Sequence, residues 1–133
     1  YRADTLLEFL DALPPRGGKV IGLTEVDIVT RKGRHPNWGV LGLGAIDARP
    51  CVISTFRMRR RFEKRAVPEA LVRERLWKIG VHEIGHTLGL EHCPVRGCLM
   101  EDAHGTVKTT DRDRDLCPSC ARRWAERIRE LVP

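Results

Sequence analysis

The sequence contains few aromatic residues and no long apolar segment. Aromatic residues make up 5% of the 133 residues, so Val, Ile and Leu must supply most of the core. No apolar stretch approaches the roughly 20 residues that cross a bilayer, which excludes a membrane-spanning helix and a membrane partner. The sequence also has no internal repeat, and its length suits one domain. We therefore expect a single domain over residues 1–133.

Acidic residues are outnumbered by basic ones. The sequence has 24 Lys and Arg against 18 Asp and Glu, a formal net charge of +6. The densest basic patch consists of Arg57, Arg59, Arg60, Arg61, Lys64 and Arg65. Such a patch suits nucleic acid or an acidic protein. The alternative is a solvated connection, which we favour because aromatic stacking partners beyond Phe56 and Phe62 are scarce. Nucleic acid is therefore not the expected partner.

Hydrophobic periodicity and turn residues predict three helices and three strands. The predicted helices cover residues 2–13, 68–88 and 118–131. The predicted strands cover residues 19–29, 38–46 and 51–58. A basic loop over residues 31–36 and a charged connection over residues 59–66 separate these elements. The side chains of Phe9, Trp124, Ile128 and Leu131 are expected to face the core from the first and last helices.

One segment carries a pattern of metal ligands. Residues 82–92 read HExxHxxGxxH, and two histidines four residues apart project from the same face of a helix. His82 and His86 can therefore bind one zinc ion, with Glu83 beside them as the general base for a water molecule. Gly89 lets the chain leave the helix through a positive φ, and His92 returns as the third ligand. Three imidazoles leave a fourth position open, which is typical of a catalytic zinc site.

The alternative for the HExxH part of this segment is two surface histidines beside a solvated glutamate. Gly89 and His92 argue against it, because they add two further positions with the correct spacing. Met100 follows eight residues after His92, where a methionine-containing turn would lie beneath the metal. The alternative for Met100 is an ordinary core residue. The segment as a whole indicates a zinc peptidase.

The cysteines form a second set. Cys93 and Cys98 form one close pair, and Cys117 and Cys120 form another. Eighteen residues separate the two pairs, which is the spacing of a structural zinc site with four thiolates. The alternatives are two disulfides or a redox-active CxxC pair. Five cysteines cannot all pair, and thiols available for a metal favour a reducing cytoplasm. Cys51 lies in an apolar run and is expected to be an inert buried thiol.

Together these motifs resemble the archaemetzincins, a family of zinc peptidases in the metzincin clan. The shared pattern runs from HExxHxxGxxH through Cys93 and Cys98-Leu99-Met100 to Cys117-x-x-Cys120. Looser similarity extends over residues 20–28, 37–42 and 52–57, so the resemblance covers the chain from about residue 19 to residue 120.

The resemblance implies an α/β (α+β) fold of the metzincin-like zincin type. Its features would be a twisted mixed sheet, a backing helix, the active-site helix, and a small C-terminal subdomain with a methionine turn and a C-terminal helix. The upper subdomain would cover residues 1–92 and the lower one residues 93–133. Residues 38–45 would form the antiparallel edge strand of the cleft, and a further strand would precede Tyr1.

The resemblance also implies the chemistry. Glu83 would be the general base at a catalytic zinc held by His82, His86 and His92, and a second, structural zinc would make two ions per chain. Some metzincins add a tyrosine near the methionine turn, but the only tyrosine here is Tyr1. His104 is a candidate replacement as an oxyanion donor, although a solvated loop histidine is the simpler interpretation.

We therefore expect a monomeric zinc metallopeptidase that acts on a peptide or protein. The sequence allows three other interpretations. In these the chain would be a binding module with a vestigial histidine site, a hydrolase of some other amide, or a latent peptidase. Glu83 argues against the first, because a discarded site need not keep its general base.

Overall fold

The computed structural model describes residues 1–14, 17–59 and 66–132. The described helices are α1 (Ala3–Ala12), α2 (Glu69–Thr87), α3 (Val107–Arg112) and α4 (Pro118–Leu131), with a 3₁₀ turn over Arg57–Arg59. The described strands are β1 (Val20–Thr24), β2 (Ile28–Lys32), β3 (His35–Val40), β4 (Gly42–Gly44) and β5 (Pro50–Ser54). Helices and strands are not in regular alternation, and the chain has the predicted α+β fold. In this part of the chain no helix combines the length and apolar composition of a membrane span.

A three-stranded mixed sheet forms the centre of the molecule. Its order is β1-β5-β4, with β1 parallel and β4 antiparallel to β5. All five residues of β5 are buried, because α1 and α2 both pack on this central strand. A fully buried strand explains the continuous apolar run that the sequence shows there. The sheet therefore fixes β4 at an edge, beside α2.

The predicted strand over residues 19–29 is two strands, and the predicted loop over residues 31–36 is wrong. β2 and β3 pair as an antiparallel hairpin whose turn includes Gly33 at a φ of 55°. Glycine adopts this left-handed conformation at little cost. Polar and basic residues occupy most of the hairpin, so it lacks the apolar alternation that would have predicted a strand.

The other two predicted strands are also shorter than expected. Residues 38–46 divide between β3 and β4, which belong to different sheets, with the buried Leu41 between them. The expected edge strand over residues 38–45 is therefore right for Gly42–Gly44 and wrong for residues 38–40. The strand predicted over residues 51–58 ends at Ser54, and a 3₁₀ turn follows with Met58 buried.

Helix α2 crosses the molecule behind β4 and β5. Pro68 precedes its first residue, a position where the missing proline N–H costs nothing. Val72 and Ile79 join a core cluster with Leu41 and Ile53. The buried Arg75 lies on the same helix, and its guanidinium donates to both carboxylate oxygens of Asp111 at 2.7 Å. Apolar packing and this ion pair hold the N-terminal part of α2, so its C-terminal turns are presented at a fixed position.

The C-terminal part contains one helix that the sequence did not predict. Helix α3 is six residues long, and the Thr106 hydroxyl caps it by accepting from the Lys108 amide. The helix predicted over residues 118–131 is confirmed as α4. Trp124 packs against a core cluster that includes Leu88 and Met100. Ile128 is 39% and Leu131 52% exposed, so their predicted inward orientation is wrong. Phe9 on α1 is likewise exposed at 62%.

The basic patch is described only in part. Arg57 forms two hydrogen bonds with Asp27, at 2.7 and 2.9 Å, and Arg59 pairs with Glu69. Both charges are therefore matched by carboxylates, which agrees with a solvated connection. The remaining members lie outside the described residues: Arg60, Arg61, Lys64 and Arg65, together with Phe62.

Candidate zinc centres and catalytic cleft

Three histidines converge at the C-terminal end of α2. His82 and His86 lie one turn apart on the helix, with their Nε2 atoms 3.0 Å from each other. The helix ends after Thr87, and Gly89 reverses the chain at a φ of 90°. His92 then returns to the helix, so that one nitrogen from each ring lies within 4.8 Å of the others. The structure thus brings together the three ligands that the sequence predicts.

The outer hydrogen bonds of two rings define which nitrogen faces the centre. His82 Nδ1 lies 2.7 Å from the carbonyl oxygen of Leu99, and His86 Nδ1 lies 2.7 Å from that of Leu90. A carbonyl oxygen only accepts, so both Nδ1 atoms carry the proton and both Nε2 atoms present lone pairs. Two facing lone pairs at 3.0 Å repel unless a cation lies between them. This donor set fits a zinc ion.

Burial keeps the imidazoles of His82 and His86 neutral. It lowers the pKa of His82 to about 4, and the neighbouring His86 and His92 add to this effect. Burial is also the main cause that lowers the pKa of His86. Neutral imidazole is the form that binds a metal, so the site is prepared for a cation at neutral pH.

The third histidine has a carboxylate behind it. Asp102 Oδ2 lies 3.7 Å from His92 Nδ1 and 3.5 Å from His104 Nδ1. Asp102 also lies 3.9 Å from Lys32 on the hairpin. At this separation the carboxylate attracts the near edge of the His92 ring without a hydrogen bond. His104 is 70% exposed in its side chain, which agrees with the interpretation of a solvated loop residue.

Glu83 is buried beside the three histidines. Its side chain lies against Gly42 and Gly44 of β4, where a Cβ atom would come within 2.7 Å of Glu83 Cγ or of the Glu83 carbonyl oxygen. Burial raises the pKa of Glu83 to about 8, and a hydrogen bond from the Gly44 backbone amide acts in the opposite direction. A carboxyl group with a pKa near neutrality is suited to accept a proton and give it back.

A cavity of about 690 Å³ opens over the histidines. Its walls are the hairpin, β4, the end of α2 and the segment of residues 102–105. Gly105 allows the segment of residues 102–105 to approach the hairpin closely, because a Cβ there would lie 2.7 Å from the Gly39 carbonyl oxygen. A cavity of this size accommodates several side chains of an extended ligand.

The four predicted zinc thiols also converge. Ligand atoms of Cys93, Cys98, Cys117 and Cys120 lie within 4.8 Å of one another, and no disulfide joins any of them. Two backbone amides point at one of the sulfurs, with Met100 N 3.5 Å and Cys117 N 3.3 Å from Cys98 Sγ. Such donors stabilise thiolates, so this group fits a closed tetrahedral zinc site. The convergence of all four thiols favours a shared metal ion over two disulfides.

The two clusters share a short piece of chain. His92 and Cys93 are neighbours, and Leu99, whose carbonyl oxygen accepts from His82, follows Cys98. Met100 comes next and is fully buried against Gly85 on α2. Cys51 belongs to neither cluster. It is buried, and burial raises its thiol pKa to about 12, in agreement with an inert thiol.

The model of peptidase family M54 matches residues 3–126, a range that includes both clusters and the cleft. The chain belongs to peptidase family M54. This is a family of zinc metallopeptidases, and its curated relatives include proteins named archaemetzincin.

The M54 chain is 36% identical over 126 residues to the archaemetzincin of Haloquadratum walsbyi and 38% identical over 129 residues to that of Halobacterium salinarum. Each match covers 92% of this chain and 69% of the relative. The crystal structure of archaemetzincin from Methanopyrus kandleri superimposes with a TM-score of 0.82 at 28% identity, over 97% of this chain and 66% of that one. The archaemetzincin structure from Archaeoglobus fulgidus, in complex with malonate, gives 0.71 at 33% identity, over 92% and 68%. The chain thus spans about two thirds of the length of these relatives.

Several groups at this M54 site had no signal in the sequence. The Leu90 and Leu99 carbonyls and the Gly44 amide act through the backbone, which any residue has. Asp102 is an acidic residue in a charged loop, and nothing in its spacing links it to His92. Only the Gly-Leu-Gly of β4 offered a clue, because glycine inside a strand often marks the close approach of another group.

Proposed function

We propose that this chain hydrolyses peptide bonds at a zinc ion held by His82, His86 and His92, with Glu83 as the general base. The observation that carries the proposal is the fixed tautomer of His82 and His86, whose unprotonated nitrogens face each other 3.0 Å apart. A cation suits that arrangement, because both lone pairs can coordinate it. Membership of a peptidase family supports a peptide as the substrate.

When bound at an open site, zinc lowers the pKa of water and polarises a carbonyl group. The residues of the chain supply the rest. Glu83 removes a proton from the attacking water and then gives it to the leaving amine. Burial raises the pKa of its carboxyl group to about 8, and the hydrogen bond from the Gly44 amide opposes that rise. Asp102 attracts the His92 ring without a hydrogen bond.

The free side of β4 gives the peptide its position. The Ser54 amide donates to the Leu41 carbonyl oxygen, and Leu43 lies opposite Val52 in the same register. Backbone groups alternate along a strand, so those of Gly42 and Gly44 point away from β5. The Gly44 amide already donates to Glu83, which leaves the Gly42 backbone groups and the Gly44 carbonyl oxygen at the free edge. An extended peptide can therefore pair with this edge, which recognises backbone rather than one sequence.

The four cysteines would hold a second, structural zinc, which makes two ions per chain. This site would define a lower subdomain over residues 93–133, below the upper subdomain of residues 1–92. Met100 would form the methionine turn beneath the histidines. Because Cys93 follows His92 and Cys98 precedes Leu99, the second zinc would fix two contacts of the first site.

Cleavage profiling of a diverse peptide library by mass spectrometry tests the proposal. Zinc-loaded protein is compared with Glu83→Ala in reducing buffer, with the zinc content of both measured. We expect cleavage by the wild type alone, because the variant retains the ligands and lacks the base. Equal cleavage by Glu83→Ala would contradict the assignment of the base. No cleavage by fully loaded wild type would favour a latent peptidase or a binding module.

A further inference from the structure

The two ends of the cleft differ in charge. β4 runs from Gly42, next to the hairpin, to Gly44, and Ile46 follows at the opposite end. Thr30, Arg31 and Lys32 line the cavity at the hairpin end. Ile46 and Glu91 line it elsewhere, and Ile46 is 49% exposed. A bound peptide would therefore meet basic groups at one end and an apolar side chain at the other.

A bulge in the hairpin turns its basic residues into the cavity. The register of β2 and β3 shifts between Thr30 and Lys32, where two residues of β3 lie opposite Arg31. Successive residues of a regular strand face opposite sides, but Thr30, Arg31 and Lys32 all line the cavity. Bulges are known to redirect side chains in this way beside active sites.

The two basic residues differ in how they are held. Lys32 Nζ lies 5.2 Å from the centre of the Trp38 ring and 3.9 Å from Asp102, which itself lies 3.7 Å from His92. The ammonium group is thus one carboxylate away from a proposed zinc ligand. Arg31 is exposed and forms no ion pair within residues 1–14, 17–59 and 66–132. Its guanidinium group is available to a ligand.

Asp102 balances one positive charge at this end, because its carboxylate lies 3.9 Å from Lys32 Nζ. The charge that is left over is that of Arg31, which has no such partner within the described residues. Glu91, the other exposed acid of the cavity, lies two residues from Gly89. A Cβ at Gly89 would be 3.7 Å from Asp47 Oδ1, which places this segment beside the Ile46 end of β4.

We propose that Arg31 and Lys32 form a subsite for an acidic side chain on the carboxyl side of the scissile bond. The direction of β4 places this subsite on the carboxyl side of the scissile bond. A peptide that pairs antiparallel with β4 runs from Ile46 toward the hairpin. Its residues after the scissile bond then lie beside Arg31. This inference rests on the proposed peptidase function for its position relative to the bond, and on the hairpin alone for its charge preference.

Matched peptides test the subsite by binding and by turnover. One peptide that the library shows to be cleaved is made with Glu, Gln or Lys at each of the first three positions after the bond, and at the equivalent positions before it. If no peptide is cleaved, Glu, Gln and Lys are compared in the same way at successive positions of an unstructured library peptide. Binding is measured by fluorescence anisotropy on zinc-loaded Glu83→Gln, which does not turn over, and kcat/KM is measured on the wild type.

We expect Glu to be preferred over Gln about fivefold at one position after the bond, the ratio that corresponds to an exposed charge pair of about 1 kcal/mol. The preference should shrink in high salt. Arg31→Glu should reverse it in favour of Lys, whereas Arg129→Glu, the same charge change on an exposed position of α4, should leave it unchanged.

Each result separates the subsite from the peptidase activity. Cleavage without a charge preference, or a preference unaltered by Arg31→Glu, overturns the subsite and leaves the proposed function standing. A preference only on the amino side overturns the antiparallel orientation and with it this proposal. A charge preference in binding that Arg31→Glu reverses, without any hydrolysis, supports the subsite and contradicts the peptidase function.

Discussion

Two glycines on α2 provide a matched test of the packing beneath the histidines. Gly85 lies between His82 and His86, and a Cβ there would overlap Met100 Sδ and come within 2.9 Å of Met100 Cε and 3.4 Å of Trp124. Met100 is fully buried, so it cannot move away into solvent. At Gly80, on the same helix, an added Cβ meets only Ile53 Cδ1 at 3.9 Å.

The difference between the two alanine variants isolates this overlap. Each replacement gains about 0.5–1 kcal/mol from helix propensity, so that contribution cancels. Overpacking costs about 1–3 kcal/mol, and we expect Gly85→Ala to be less stable than Gly80→Ala by that amount. For a domain of this size the difference corresponds to about 4 °C in Tm per kcal/mol.

Urea denaturation of the zinc-loaded variants, followed by tryptophan fluorescence, measures the difference. Gly80→Ala is expected to equal or exceed the wild type in its urea midpoint, and Gly85→Ala to fall below it. Equal midpoints for the two alanine variants would contradict the packing of Met100 against Gly85 beneath the histidines.

Two further predictions concern the lower half of the molecule. Cys117→Ser should lose the structural zinc and lower the Tm, because metal binding is coupled to folding, and the catalytic zinc should weaken with it; Cys51→Ala should keep both ions. Native mass spectrometry counts the zinc, and two ions on Cys117→Ser with an unchanged Tm would refute the four-cysteine site. Burial, followed by the nearby charge of Glu101, raises the pKa of Asp113 to about 6, above its ordinary 3.8. The folded protein therefore holds this proton more tightly, and stability falls as pH rises through that range. Asp113→Asn should be more stable than the wild type at pH 8, by a margin that narrows toward pH 5; a pH-independent margin in urea denaturation would contradict this.

Much of the site could be predicted because its geometry is local. Helical periodicity alone places His82 and His86 on one face, and Gly89 at a φ of 90° accounts for the return of His92. The four cysteines follow a spacing that zinc imposes on short loops. These arguments need no knowledge of the rest of the fold.

The features that the sequence does not predict depend on contacts between distant segments of the chain. The hairpin is polar and its bulge breaks the alternation, so no pattern in the sequence indicates that Arg31 and Lys32 line the cleft. Helix α3 is too short for its periodicity to be visible, and its Thr106 cap is a weak signal alone. Asp102 meets His92 only because residues 102–105 fold back against the hairpin.

The predicted burial of apolar side chains is also wrong where a helix extends beyond the core that it packs against. The C-terminal turn of α4 leaves Ile128 and Leu131 exposed, although their spacing matches that of Trp124. Periodicity identifies the apolar side of a helix, but the partner that covers it lies elsewhere in the chain.

Hydrolysis measured during a zinc titration tests whether catalysis takes place at the three histidines. Zinc is added in steps to metal-free protein. Hydrolysis of one cleaved library peptide is measured at each step, and native mass spectrometry counts the bound zinc ions. The four thiolates should take the first equivalent without activity, and hydrolysis should rise with the second equivalent to a plateau at two. Glu83→Gln should bind the second equivalent and remain inactive. Full activity at one equivalent, or activity in loaded Glu83→Gln equal to that of the wild type, would contradict catalysis at the three histidines.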